Sequence, residues 1–158
     1  PLSNVTKEAK NLLQSLDKQT LKFSSGAIDH INQEKALSYV ATSCNDGVVL
    51  LHRKFPEAAQ LPPGTIVEVG RATNDGPPLD WRHSEVSSLP GLCETFSGTL
   101  ERHEGKTFAF LRSAAEDVFV PPDLAQEFEP GEVCHRTCVA LRRANKKGKV
   151  GWRAVRFV

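Results

Sequence analysis

Beyond residue 22 the apolar positions fall in short runs broken by glycine and proline. The runs "GAIDHI", "LSYVA", "GVVLLH" and "TIVEVGRA" precede a Pro-, Gly- and Ser-rich stretch at 74–91, and "FSGTLERH", "KTFAFLR", "DVFVPP", "EVCHRTCVALRRA" and "KVGWRAVRFV" follow it. Short runs with turn residues between them predict an all-β barrel or sandwich. Only the beginning of the chain has helical periodicity. Ala9, Leu12, Leu13, Leu16 and Leu21 recur near helical spacing, with Ser3, Asn4 or Thr6 placed to cap them, and predict one amphipathic helix over 6–21.

The two halves repeat one order of elements. "FSSGAIDHINQEKALSYV" from Phe23 aligns with "FSGTLERHEGKTFAFL" from Phe96, which sets Gly26 opposite Gly98 and Tyr39 opposite Phe110. "GVVLLHRKF" aligns with "DVFVPPDL", and "LPPGTIVEV" from Leu61 with "FEPGEVCHR" from Phe128. Glycine, strand, turn, aromatic strand, third strand, irregular connection, proline-glycine turn and strand thus occur twice. The expected fold is mainly β: an N-terminal helix (1–22), a first five-stranded OB-like barrel (23–73), a linker (74–95) and a second such barrel (96–158).

Both repeats resemble the cold-shock domain, a small oligonucleotide-binding barrel. The second is most similar to the version ahead of the catalytic domain in ribonuclease II-like exoribonucleases. The family's first ribonucleoprotein motif, Lys-Gly-Phe-Gly-Phe-Ile, is matched by Lys106, Thr107, Phe108, Ala109, Phe110 and Leu111, and its second, Val-Phe-Val-His, by Val118, Phe119, Val120 and Pro121. In the first repeat the resemblance puts His30 at the family's tryptophan, Leu37 and Tyr39 at its phenylalanines, Leu50 at the second-motif phenylalanine and His52 at the histidine. That repeat has therefore lost two of three stacking aromatics and is the weaker binder or a spacer. The second keeps all three phenylalanines but carries Arg102 at the tryptophan position, where a guanidinium plane can still stack.

Alternation gives these residues a physical reading. Side chains two apart on a strand share a face, so Phe108 and Phe110 present adjacent rings, and Phe119 on a neighbouring strand extends the row. Such a row is either core packing or a platform on which bases of any identity stack. Charge bears on the choice. The net charge over 158 residues is only +1, yet residues 1–95 hold 9 Lys/Arg against 11 Asp/Glu, and residues 96–158 hold 11 against 8. Arg142, Arg143, Lys146, Lys147, Lys149, Arg153 and Arg156 close the chain with no acidic residue among the final 19. A basic hairpin around "NKKGK" can track phosphates beside the aromatic row, or serve as a solvated turn.

Other chemistry is poorly supplied. "CHRTC" offers Cys134, His135 and Cys138, but a strand sets the cysteines and the histidine on opposite faces, and Cys44 and Cys93 form no second pair. No nucleophile elbow, phosphate loop or carboxylate cluster accompanies the five histidines. Neither metal, cofactor nor catalysis is expected. Trp81 and Trp152 are expected to plug a seam or a barrel end. Composition is that of a globular chain with no apolar run of membrane-spanning length, and sparse cysteines point to a reducing, cytoplasmic compartment. A Pro1 start and the lack of methionine suggest a piece of a longer polypeptide.

The expectation is a non-enzymatic module for single-stranded nucleic acid, RNA ahead of DNA, serving other domains of the same polypeptide. Its expected contacts are Phe108, Phe110, Phe119, Lys106, Arg102, Arg142, Arg143, Lys146, Lys147 and Lys149, with Tyr39, His30 and His52 from the first repeat. The alternative is a protein-interaction or structural module that keeps the barrel without the binding.

Overall fold

The structure is a computed structural model and describes residues 20–158. The expected helix over 6–21 lies outside the described residues up to residue 19; Thr20 is in a turn, and Lys22 already begins a strand. Five strands form the first sheet: β1 (Lys22–Asn32), β2 (Leu37–Ala41), β3 (Gly47–Leu51), β4 (Ile66–Arg71) and β5 (Asp80–His83). A 3-10 turn at Pro56–Gln60 separates β3 from β4. Five more follow: β6 (Cys93–Glu101), β7 (Ala109–Arg112), β8 (Asp117–Val120), β9 (Val133–Ala144) and β10 (Val150–Phe157), with one helical turn at Pro122–Ala125.

The pairings repeat in the two regions, and the closure does not. β1–β2–β3 and β6–β7–β8 are antiparallel meanders; β4 returns to β1 as β9 returns to β6, and β5 and β10 pair with β4 and β9. β10 also runs parallel to β8, through Trp152↔Val118 and Arg153↔Phe119, and closes the ring β10-β8-β7-β6-β9. The first sheet keeps the order β3-β2-β1-β4-β5 with β3 and β5 at its two ends. Where two closed barrels are expected, one closes. β5 has only 4 residues and comes from within the expected linker, whereas β10 has 8.

One glycine in each region marks the shared geometry. A Cβ on Gly26 would stand 2.7 Å from the carbonyl oxygen of Ala41, and one on Gly98 would collide with the carbonyl oxygen of Arg112. Each glycine lets the first strand lie close against the end of the second, the close approach for which a strand glycine is kept.

Apolar alternation places the cores. In the barrel, Leu100, Leu111, Val118, Val120 and Ala140 are fully buried, and Phe96 meets Trp152 edge-on at 4.8 Å. Trp152 is thus a core residue of the barrel. The first sheet curls over Ile28, Val40, Leu50, Ala58, Val67 and Val69, with Trp81 packed alongside. Burial of each such aliphatic side chain contributes about 1.5–3 kcal/mol.

A third cluster joins the regions: Ala27 and Ile66 from the first sheet meet Cys93, Val139 and Leu141 from the barrel. Along β9, Cys138 and Ala140 point into the barrel while Val139 and Leu141 point into this seam, so the run "CVAL" is buried on both faces. β1 has the same double burial from Gly26 to Asp29. Hydrogen bonds reinforce the seam, from Ala144 N to Cys44 O (2.7 Å) and from Arg156 Nε to Pro63 O (2.8 Å). The regions are one packed body, not beads on a linker.

Candidate nucleic-acid interface

β7 and β8 are short strands with the same alternation. Ala109, Leu111, Val118 and Val120 turn inward and are fully buried, so Phe110 and Phe119 must turn outward, and both are half-buried. They are register partners. Phe108, just before β7, joins them. Ring centroids lie 5.7 Å apart for Phe108 and Phe110, 5.5 Å for Phe108 and Phe119, and 5.8 Å for Phe110 and Phe119. The barrel is filled by aliphatic residues with Phe96, Phe128 and Trp152, and the three rings form a surface triangle. Arg112 places its guanidinium 5.3 Å from the Phe110 centroid and is held by its register partner Asp117 at 2.6 Å.

Beside the triangle lies a cleft of about 530 Å³, whose walls include Phe110, Phe119, Arg143, Lys149, Trp152 and Arg153. The basic hairpin supplies two of these cations because its turn is rigidly built. Asn145 accepts hydrogen bonds through Oδ1 from the backbone of Lys147 and Lys149, and Gly148 takes the positive φ of 81° that the turn requires. The structure brings the aromatic row and the basic hairpin to one place, with Lys149 on the cleft wall. Lys146, Lys147 and Arg142 are exposed on the same hairpin but do not line the cleft, and Lys106 is exposed in the turn before β7.

Two other residues expected at the interface have structural work. Arg102 donates from Nη1 to the carbonyl oxygens of Ala125 (3.3 Å) and Phe128, and so pins the helical turn to β6. His52 is half-buried with Nε2 2.8 Å from Oγ of the buried Ser38, which itself donates to Ala58 O. Leu50 differs too. The β2–β3 register sets Tyr39 opposite Val49 and Ser38 opposite Leu50, so Val49 is the counterpart of Phe119, and Leu50 is fully buried in the core. An alignment of sequence alone placed it one residue out of phase, and one residue is enough to exchange the faces.

Tyr39 and His30 stack with centroids 5.3 Å apart and planes at 12°. Arg143 reaches Tyr39 from the barrel, its guanidinium 5.6 Å from the ring centroid. The residue that sequence reasoning missed is Asp29. A register break between Ile28 and His30 marks a bulge that turns Asp29 into the seam, where its side chain is 6% exposed. There it takes an ion pair from Arg143 Nε at 3.3 Å and another from Arg153 Nη2. Nothing in the local pattern marks it, since "AIDHI" reads as ordinary alternation. Arg153, recognised in the sequence only as one of the terminal cations, is the register partner of Phe119 and lines the cleft.

The cysteines have little chemistry to offer. Burial pushes the thiols of Cys93, in the seam, and Cys138, in the barrel core, up to about 11, and burial also raises that of Cys134. They stay protonated at neutral pH. Among the described residues no group of three or more His, Cys, Asp and Glu is arranged to hold a metal ion, and no helix is long and apolar enough to cross a membrane.

Residues 94–157 match the family described as S1/CSD-like domain 2 of the TOTE conflict systems. The matched segment spans the closed barrel almost from end to end, and the match supports an S1/cold-shock-like OB domain there. No curated protein matches the chain.

Proposed function

We propose that the chain is a non-enzymatic binding module for single-stranded nucleic acid, with RNA preferred to DNA, and that it works as one domain of a larger protein. One observation carries this reading: three phenylalanine rings face outward on an S1/cold-shock-like barrel, and two of them, Phe110 and Phe119, border a cleft whose walls include arginine and lysine. Phenylalanine is ordinarily buried. Three at a surface, next to cations, fit a strand whose bases stack on the rings while its phosphates run along the cleft. The description of the matched family sets its members in conflict systems, and the same setting is proposed for this chain.

The platform consists of Phe108, Phe110 and Phe119, with Arg143, Lys149 and Arg153 for phosphates and Arg142, Lys146, Lys147 and Lys106 as peripheral cations. Phe110→Ala tests this. A labelled oligonucleotide of mixed sequence, titrated at two salt concentrations, is expected to lose about 1–3 kcal/mol of binding energy in the variant. The fold is expected to lose much less than the roughly 3–5 kcal/mol of a core phenylalanine. Full binding with a large loss of stability would make the ring a core residue and end the proposal. RNA and DNA strands of the same sequence, titrated in parallel, test the preference.

A further inference from the structure

We infer that a bound strand does not end on the barrel but crosses the seam onto the first sheet, where the exposed ring of His30 gives it a second stacking station. This rests on the function proposed for the barrel and lengthens its site. The register leads there. Phe110 pairs with Phe119 and Phe119 with Arg153, so these three lie side by side on the outer face. The next places in the row, Leu141 and Cys93, are covered by Ala27 and Ile66 of the first sheet. A strand laid along the row meets the first sheet at Arg153.

Charge at that meeting point is unbalanced. Arg143 and Arg153 converge on the single carboxylate of Asp29, and Lys149 adds another cation to the cleft wall. Two guanidiniums share one anion. Nε of Arg153 is buried and has no hydrogen-bond partner, which a buried donor rarely tolerates without cost. A phosphodiester in the cleft supplies the second negative charge to the partly exposed Arg153 guanidinium, in the geometry such groups favour.

Beyond the cleft the stack continues. The Arg143 guanidinium lies against Tyr39, Tyr39 lies parallel to His30, and the His30 side chain is 59% exposed. Gly47 keeps this ladder possible, because a Cβ there would collide with the Tyr39 ring. Guanidinium, phenol and imidazole thus lie in successive contact, from an arginine on the cleft wall to an imidazole that is more than half exposed. A base adds the next layer.

Uridine oligomers of about 4 to about 16 nucleotides, the span of sites on single barrels, test the path by fluorescence anisotropy. Affinity is expected to keep rising beyond the length that fills the platform. His30→Ala is expected to weaken the long oligomers about fivefold or more and to leave the short ones unchanged, with an unaltered melting temperature. His30→Phe should retain the long-oligomer affinity. Phe110→Ala, by contrast, weakens every length. If His30→Ala is neutral at all lengths while Phe110→Ala is not, the strand stays on the barrel and this inference alone is overturned. Equal loss at every length with a lowered melting temperature also overturns it, since His30 would then only support the seam. If both variants are neutral throughout, the proposed function falls with it.

Discussion

In the barrel, β10 lies parallel to β8 and makes a ring of five strands; in the first sheet, β5 extends β4 and pairs with no third strand among the described residues. The other pairings correspond. Closure satisfies the edges of the barrel, and the inward side chains of β7 and β8 are aliphatic, which leaves their outer face to carry large rings. The first sheet spends its outer face differently: Ala27 and Ile66 are committed to the seam. Where the barrel has Phe108, Phe110 and Phe119, the sheet has Leu37, Tyr39 and Val49. The same order of strands therefore yields a surface of aromatic rings in one region and a bracing surface in the other, according to which face is left uncovered.

The register behind this correspondence can be broken directly. Leu50→Ala is expected to cost about 2–5 kcal/mol in urea denaturation, as a fully buried leucine does, while Val49→Ala stays within about 0.5 kcal/mol. The reverse order would exchange their faces and undo the match between Val49 and Phe119. Val49, and not Leu50, is then the proper control for truncation of the platform.

Asp29 holds the regions to each other, so its loss should separate their behaviour. Removing one partner of a buried ion pair costs several kcal/mol, and the partial exposure of Arg153 lowers the expectation for Asp29→Ala to about 1–3 kcal/mol. Thermal unfolding followed by calorimetry is expected to change from one transition to two, the open sheet melting first. A single transition at the original temperature would show that the apolar seam alone couples them.

The smallest effects concern the hairpin. Lys149→Glu is expected to reduce oligonucleotide affinity more than Lys146→Glu and Lys147→Glu together, because Lys149 alone of the three lines the cleft. Removing one cation that touches a phosphate should lower the salt slope by roughly one. A larger effect at the tip would move the phosphate path out of the cleft and onto the turn.

The strands and the outward placement of Phe110 and Phe119 are readable because their signals are local. Alternation in "FAFL" and "VFV" sets the faces of Phe110 and Phe119 whatever surrounds them, and Gly26 and Gly98 mark the same close approach in both repeats. Closure was not readable, since it depends on whether β5 or β10 is long enough to reach a third strand. Nor was the linker: 74–91 has loop composition, yet Asp80–His83 pairs with β4. Asp29 and Arg153 stand 124 residues apart, and nothing at either position announces the other. The one trace of the seam in the sequence is that "CVAL" lacks the alternation of a half-exposed strand, which a second covered face explains.

That long separation also orders events during synthesis. The chain leaves the ribosome from its N-terminus, so β1 to β5 can pair while the barrel is still being made. Asp29 must wait in water until Arg143 and then Arg153 are translated, and Ala27 and Ile66 wait for Val139 and Leu141. The earliest strands are therefore completed by the last ones. A nascent chain stopped short of β9 carries a finished set of first-sheet hydrogen bonds, an uncovered apolar flank and a carboxylate without its cations.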